Sequence, residues 1–440
     1  MASKQYRVMV FPWLAFGHMI PSLELSIKLA AKGIKVSFIS TPRNLRRLPT
    51  VPGHLTTNLK LMEMILPSVD GLPDNCEATV DLQVDQIQFL KKASDSLQAE
   101  MERVMLEDLP DMVLFDLIHC WIPETCSKFG VPSAFFSPFP ASTLAFIGPS
   151  EELKVPKWRT RPEDFTVKPE WFPFQSSLAF RPDEAPIIFR NYSRIATTIV
   201  GCDFVAVRSC REYEGHYINL LEQLYHKPVL PVGLLPPVLP ENKDEHHQSL
   251  VFVGFGSEYK MPLEQVHELA HGIELSNLSF IWVLRKPREL DISELLPTEF
   301  LARTSDRGIV YLGWAPQTQI LAHPVIGGCL FHSGWGSIVE SLSLGHPQIL
   351  MPMISDQGLN AKVLVEKGIG LEVPRSKDGS CYRDAIAKSM RVVMVEKEGQ
   401  ELRRQAAEMR AVFGNQDLHD DYIEEFIRYI VNFKKHSTST

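Results

Sequence analysis

The sequence is short of several features, and each shortage excludes a class of protein. Its seven cysteines, Cys76, Cys120, Cys126, Cys202, Cys210, Cys329 and Cys381, are odd in number, scattered and free of any C-x-x-C pair. They read as reduced thiols of a cytoplasmic protein and not as a disulfide framework. There is no basic excess: the net charge is −8, which offers nothing to a phosphate backbone or an anionic lipid surface. No run of about 18 apolar residues occurs, so no membrane-spanning helix is expected. The opening MASKQYRVMVFPWLAFGHMIP holds one short apolar run, broken by proline, and matches neither a secretion signal nor a span. Short internal repeats and low-complexity tracts are missing, which excludes solenoids and propellers.

What is present is the composition of a folded protein, 45% hydrophobic and 22% charged over 440 residues, enough for two or three domains. Short β-rich runs alternate with helical spacing. Arg7 to Phe11 reads as a strand; Ile20, Leu23, Ile27 and Ala30 recur at helical spacing up to Gly33; Lys35 to Ser40 is strand again. This is a βαβ opening. Further strands are expected at Leu59 to Leu66, Met112 to Phe115, Ser133 to Phe136, Phe204 to Val207 and Val229 to Val232, giving a parallel sheet. Glu151 to Arg194, rich in proline and aromatics, reads as surface loop and short helix. LLPPVLPENKDEHHQ, from Leu234, cannot continue a strand or an ordinary helix and is expected to be a linker. After it the alternation restarts with LVFVGFGS, a helix from Pro262, and strands at Phe280 to Leu284, Cys329 to Phe331 and Gln348 to Met351. The fold class is α/β, with two similar units in tandem.

The richest stretch is WAPQTQILAHPVIGGCLFHSGWGSIVESLSLGHPQILMPMISDQ, from Trp314 to Gln357. GGCLFHSGWGSIVESLSLG is a strand, a turn of small residues and a helix, so backbone amides and the positive helix end point into the turn as a seat for a diphosphate. Gly334 and Gly336 let oxygens approach the backbone, and His332 and Ser337 add donors. Glu340 stands one turn into the helix, where it can accept from ribose hydroxyls; Ser337 and Glu340 also satisfy the spacing of a capping box. Trp314 offers a flat face for a base, with Ala315 beside it to read the base edge, although an isolated tryptophan is as readily core. Asp356 and Gln357 follow a strand and suit vicinal sugar hydroxyls or, more plainly, cap a helix.

The same residues resemble the signature box of the plant family 1 UDP-dependent glycosyltransferases, in length, in both end anchors and in the spacing of His323, His332, Gly334, Trp335, Ser337, Glu340 and Gly345. The likeness extends to FPWLAFGHMIP and FVGFGSE and is nearest to the branch that extends sugar chains on glycosides. It implies the GT-B fold, two Rossmann-like domains facing each other: residues 1–233 for the acceptor, a linker at 234–248, residues 249–415 for the UDP-sugar, and a helix in 416–440 packing back on the first domain. It implies a monomer that needs no cofactor, takes a UDP-sugar and a lipophilic glycoside, and neither binds nucleic acid nor inserts into membranes. It gives Gln317 a ribose contact. It also ties Gln357, backed by Trp335, to glucose as donor sugar, while UDP-rhamnose users in the same branch are the alternative.

An alcohol is a poor nucleophile until a base takes its proton. His18 follows the first strand, and Asp116 ends another, in VLFDL; if those strands are neighbours, the carboxylate fixes the imidazole's tautomer. A histidine at a strand-helix junction is otherwise a cap. Both residues fall where the family keeps its His-Asp dyad. The expected reaction is an in-line displacement that inverts the anomeric carbon, with the departing diphosphate met by the helix end, His332, Ser337 and the turn at Gly256 and Ser257. No D-x-D, the carboxylate pair of metal-dependent nucleotide-sugar enzymes, occurs. A reading from another class is a zinc metalloprotease through HELAH, His267 to His271, with Glu268 as base and Glu289, Glu294 or Glu299 as third ligand. Its rival is an amphipathic helix packing Val266, Leu269, Ala270 and Ile273. Four departures from the family pattern stand out: Ser333 for cysteine, Gly336 for asparagine, Pro140 where a threonine often touches the donor sugar, and a short linker. The acceptor pocket is expected near Trp13, Phe16, Ile87, Leu117, His119, Phe139 and Phe180.

Overall fold

The computed structural model describes residues 5–238, 249–285, 292–376 and 379–437, and its chain divides into two units. The first comprises residues 1–160, 189–235 and 417–440. Seven of its described runs form a parallel sheet: β1 (Arg7–Phe11), β2 (Lys35–Ser40), β3 (Leu59–Glu63), β4 (Met112–Phe115), β5 (Ser133–Ser137), β6 (Phe204–Val207) and β7 (Val229–Pro231), in the order β3-β2-β1-β4-β5-β6-β7. Most of these runs are apolar at nearly every position because helices cover both faces of such a sheet. The helix Phe16–Ala31 buries Met19, Leu23, Leu25, Leu29 and Ala30 in a core shared with Val8, Val10, Phe38, Leu114 and Phe136.

The last helix, Gln416–Ser437, belongs to this unit. Its Ile423, Phe426 and Ile430 join the same core, and the Phe426, Tyr429 and Phe433 rings pack around Phe204. The Tyr6 hydroxyl donates to the Ile430 carbonyl at 2.9 Å, and Lys28 pairs with Asp420 at 2.7 Å.

The second unit, residues 161–188 and 236–416, carries β8 (Leu250–Gly254), β9 (Ser279–Leu284), β10 (Gly308–Leu312), β11 (Ile326–Phe331), β12 (Gln348–Leu350) and β13 (Gly370–Glu372), all parallel, in the order β10-β9-β8-β11-β12-β13. Both sheets reverse their strand order once, between β1 and β4 and between β8 and β11. Such a switch point opens a crevice at the carboxyl ends of the two strands.

Several boundaries differ from the sequence reading. The long helix Ala185–Gly201 begins inside the stretch expected to be aperiodic. Residues 161–188 cluster with the second unit, since Arg181 pairs with Glu372 at 2.7 Å and the Ser177 hydroxyl donates to Glu366 at 2.7 Å. Leu234 and Leu235, expected to open the linker, are buried in the first unit; residues 239–248 of that linker lie outside the described residues. The seven cysteines are free thiols. No described helix is long and apolar enough to cross a membrane.

Candidate active site

Register sets up the first constellation. Phe11 of β1 lies beside Phe115 of β4, so the segments leaving these two strands emerge together at the switch point. One leads to His18 in the first turn of its helix and the other to Asp116. The His18 Nδ1 is 2.8 Å from Asp116 Oδ2. Asp116 is 1% exposed and also accepts from the Trp13 and Leu117 amides at 3.2 and 2.6 Å. Three donors on the carboxylate fix its orientation and place the His18 proton on Nδ1, the tautomer in which Nε2 carries no hydrogen. The imidazole side chain keeps 15% exposure and meets the Phe139 ring edge-on at 5.2 Å.

Of the residues expected around an acceptor, Trp13, Phe16, Leu117 and Phe180 are buried, and Ile87 and Phe139 are partly exposed. His119 is core: it stacks on Phe11 at 4.0 Å, and burial pushes its imidazole down to about 4. Pro140 caps a helix whose first amides, Ala141 and Ser142, donate to the buried carboxylate of Glu214 at 2.9 and 3.0 Å. Ser142 and Thr143 are themselves buried.

The second constellation repeats this logic. Gly254 pairs with Phe331, so the turn after β8 and the turn after β11 leave the sheet side by side. Gly256, at φ 65°, and Gly334 flank the His332 imidazole so closely that a Cβ on either would lie 2.7 or 2.6 Å from its Nε2. Burial lowers His332 to about 4 against the opposing effect of a hydrogen bond to the Gly254 backbone, so near neutrality it is an uncharged imidazole. Ser333 turns the chain with a φ of 65°. The helix Trp335–Leu342 follows from Gly334, and its first-turn amides at Gly336 and Ser337 have no acceptor within the helix.

Gln317 Nε2 donates to the Ser337 hydroxyl at 3.2 Å and to Glu340 Oε2 at 2.9 Å, uniting three residues that sequence reading had assigned separately. The Ala315 carbonyl accepts from the Gln317 amide at 2.8 Å. Trp314 stands out at 62% exposure with the Arg285 guanidinium 5.0 Å over its ring. The Trp335 indole points elsewhere, buried edge-on to Phe413 at 6.2 Å. Ser257 follows in the β8 turn with its hydroxyl 3.5 Å from Glu258.

At the far end, Gln357 Oε1 accepts from the Met353 and Ile354 amides at 2.9 and 3.0 Å, holding its own loop. Asp356 Oδ2 accepts from Asn360 at 2.7 Å, and the same Asn360 amide donates to the Ser333 carbonyl at 3.0 Å. Asn360 therefore ties the loop before its helix to the turn after β11. Sequence reading missed it; its place one helical turn after Asp356 was the available signal.

Residues 239–396 match the family described as UDP-glucoronosyl and UDP-glucosyl transferase. UDP-glycosyltransferase 91C1 of Arabidopsis thaliana is 39% identical over 98% of each chain. The chain belongs to the plant UDP-glycosyltransferase family. Soyasaponin III rhamnosyltransferase of Glycine max is 37% identical, covering 99% of this chain and 98% of its own. The crystal structure of Glycyrrhiza uralensis UGT73P12, complexed with glycyrrhetinic acid 3-O-monoglucuronide, is 22% identical with a TM-score of 0.80, covering 99% of this chain and 98% of that one. The shared fold is GT-B, with two Rossmann-like units. As a member of the family, the protein is a UDP-sugar-dependent glycosyltransferase.

In this UDP-glycosyltransferase HELAH serves packing. The helix Leu263–Ser276 buries Val266, Leu269, Ala270 and Ile273, Glu268 is bound to the Arg383 guanidinium, also accepting from its backbone amide at 2.8 Å, and His271 faces Glu274 at 3.7 Å. Among the described residues no group of three histidines, cysteines or carboxylates is placed to hold a metal ion. Glu289 lies outside the described residues.

Proposed function

We propose that this UDP-glycosyltransferase moves glucose from UDP-glucose, with inversion, to a hydroxyl of an existing sugar on a lipophilic plant glycoside such as a terpenoid or flavonoid glycoside. The observation that carries the reading is the 2.8 Å contact of His18 Nδ1 with a buried, triply engaged Asp116. That arrangement leaves Nε2 as the general base. As the acceptor oxygen bonds to the anomeric carbon, its proton passes to Nε2, the bond from that carbon to the diphosphate oxygen breaks, and UDP departs from the opposite face. Asp116 then stabilises the imidazolium.

The donor half of the reading rests on the second constellation. Trp314 stacks the uracil, with Ala315 at its edge; Gln317 and Glu340 take the ribose hydroxyls. His332, Gly334, Gly336, Ser337, Gly256 and Ser257 receive the diphosphate, where a neutral imidazole and backbone amides meet the growing charge without reorganising. Asp356 and Gln357 take the sugar hydroxyls, which favours glucose. Trp335 supports that site through its place in the helix and not by laying its ring against the sugar. UDP-rhamnose is the second reading, favoured by the rhamnosyltransferase among the relatives. Incubation with each donor and a panel of aglycones and their glycosides, followed by mass spectrometry, separates the two by the mass gained. Mass gain on aglycones alone overturns the chain-extension part. With His18→Ala, transfer should fall by ~10²–10⁴ while UDP binding persists; unchanged transfer overturns the assignment of the base.

A further inference from the structure

The loop that carries Asp356 and Gln357 is built from outside its own stretch of sequence. Two guanidiniums converge on one carbonyl, that of Pro352, which opens the loop after β12: Arg181 Nη2 donates to it at 3.4 Å, and Arg375 Nη2 donates to it more closely. Arg181 also grips Glu184 at 2.5 Å and Glu372 at 2.7 Å. Glu184, 3% exposed, presses its carboxylate against the other end of the loop. A Cβ on Gly358, in the first turn of the helix Gln357–Glu366, would lie 2.5 Å from Glu184 Oε1. A negative charge there faces the positive end of that helix.

One segment, residues 181–184, thus touches both ends of the Pro352–Gly358 loop and, among the described residues, makes no hydrogen bond to those that would hold the nucleotide. Those bonds, Gln317 to Ser337 and Glu340, lie elsewhere in the unit. Gathering one buried and three half-buried charged side chains is unfavourable unless each is partnered, and here each has a partner: Glu184 and Glu372 on Arg181, and Arg375 on Pro352 and, at 2.5 Å, on the Gly379 carbonyl.

Resting on the donor assignment above, we infer that Arg181 and Glu184 are positioning residues for the donor sugar: they set the height of the Asp356–Gln357 loop and so tune affinity for the hexose of the UDP-sugar, not for UDP. The test compares KM for UDP-glucose with Ki for UDP as a competitor in Arg181→Ala, Glu184→Gln and Gly358→Ala. The glycine variant deletes none of these side chains and only pushes the Glu184 carboxylate away. Losing the guanidinium's bond to Pro352 in Arg181→Ala, or the close carboxylate at the helix end in the other two, should raise KM for UDP-glucose about tenfold, with Ki for UDP held within about twofold. If Arg181→Ala melts early in a thermal-shift assay, Glu184→Gln and Gly358→Ala give the same readout without deleting the guanidinium. KM and Ki rising together, or neither moving, overturns the inference. A wild-type chain that transfers sugar from no UDP-sugar overturns the function proposed above instead.

Discussion

Replacing Gly334 by alanine tests the diphosphate seat by displacing the His332 ring without deleting any hydrogen-bonding group. Gly334 has φ −68°, an ordinary conformation, so its backbone tolerates alanine. The new Cβ would sit 2.6 Å from His332 Nε2 and 3.2 Å from its Cδ2. Contacts between such atoms settle near 3.5 Å, so the ring must retreat by roughly 1 Å. Overpacking of this kind costs about 1–3 kcal/mol, and a 1 Å misplacement of a positioned group costs up to ~10²-fold in rate.

The expected outcome is a lower melting midpoint and a kcat/KM for UDP-glucose reduced by ~10–10². The decisive assay is the double variant. In a His332→Ala background the obstruction is gone, so adding Gly334→Ala should cost little, an energetic coupling of at least ~1 kcal/mol. Equal costs of Gly334→Ala in the two backgrounds would refute the reasoning. Gly256→Ala makes a parallel case with one difference: φ 65° adds backbone strain of about 1–2 kcal/mol that removing His332 cannot relieve.

Asp116→Asn keeps the shape of the dyad but offers an amide where the His18 N–H needs an acceptor; transfer should drop by ~10²–10⁴ with KM for the donor nearly constant, and a change confined to KM would contradict the role. His119 is held near 4 by burial while the unfolded chain titrates near 6.5. Above about 6.5 neither state takes a proton. As pH falls below it the unfolded state gains one that the folded state refuses until about 4, so stability declines by about 3 kcal/mol across that window. His119→Phe should flatten the fall of the melting midpoint between pH 7 and 5; an unchanged slope counts against it. Prolonged incubation with EDTA should leave transfer unaltered, and loss of activity restored by zinc would revive the HELAH reading.

Much of the fold was legible because it is written locally. β1, β4 and β6 show the near-continuous apolar runs that burial on both faces demands, β2 shows β-branched and aromatic residues among serines, and all four stand where the sequence placed them. β10 escaped because it is an edge strand, with Ile309 and Tyr311 61% and 47% exposed, so its text carries no core pattern. β13 is Gly-Leu-Glu, a single apolar residue between a glycine and a carboxylate, so its text carries no strand pattern. Within the candidate site, His18 and Asp116 were legible as strand-end residues, and their contact followed once β1 and β4 became neighbours. Arg181, Glu184 and Glu214 were not, because each acts on residues far along the chain, and no local period or motif records such a pairing.

The helix Gln416–Ser437 fills a place in the first unit's core that nothing earlier in the chain occupies. On the ribosome, therefore, the half that emerges first waits: Phe204 and its neighbours stay uncovered until this helix is made, while the second half can close in the meantime. A nascent chain halted before Gln416 should bind chaperones through its beginning, and a stop codon near the end should harm the part of the protein farthest from it in the gene.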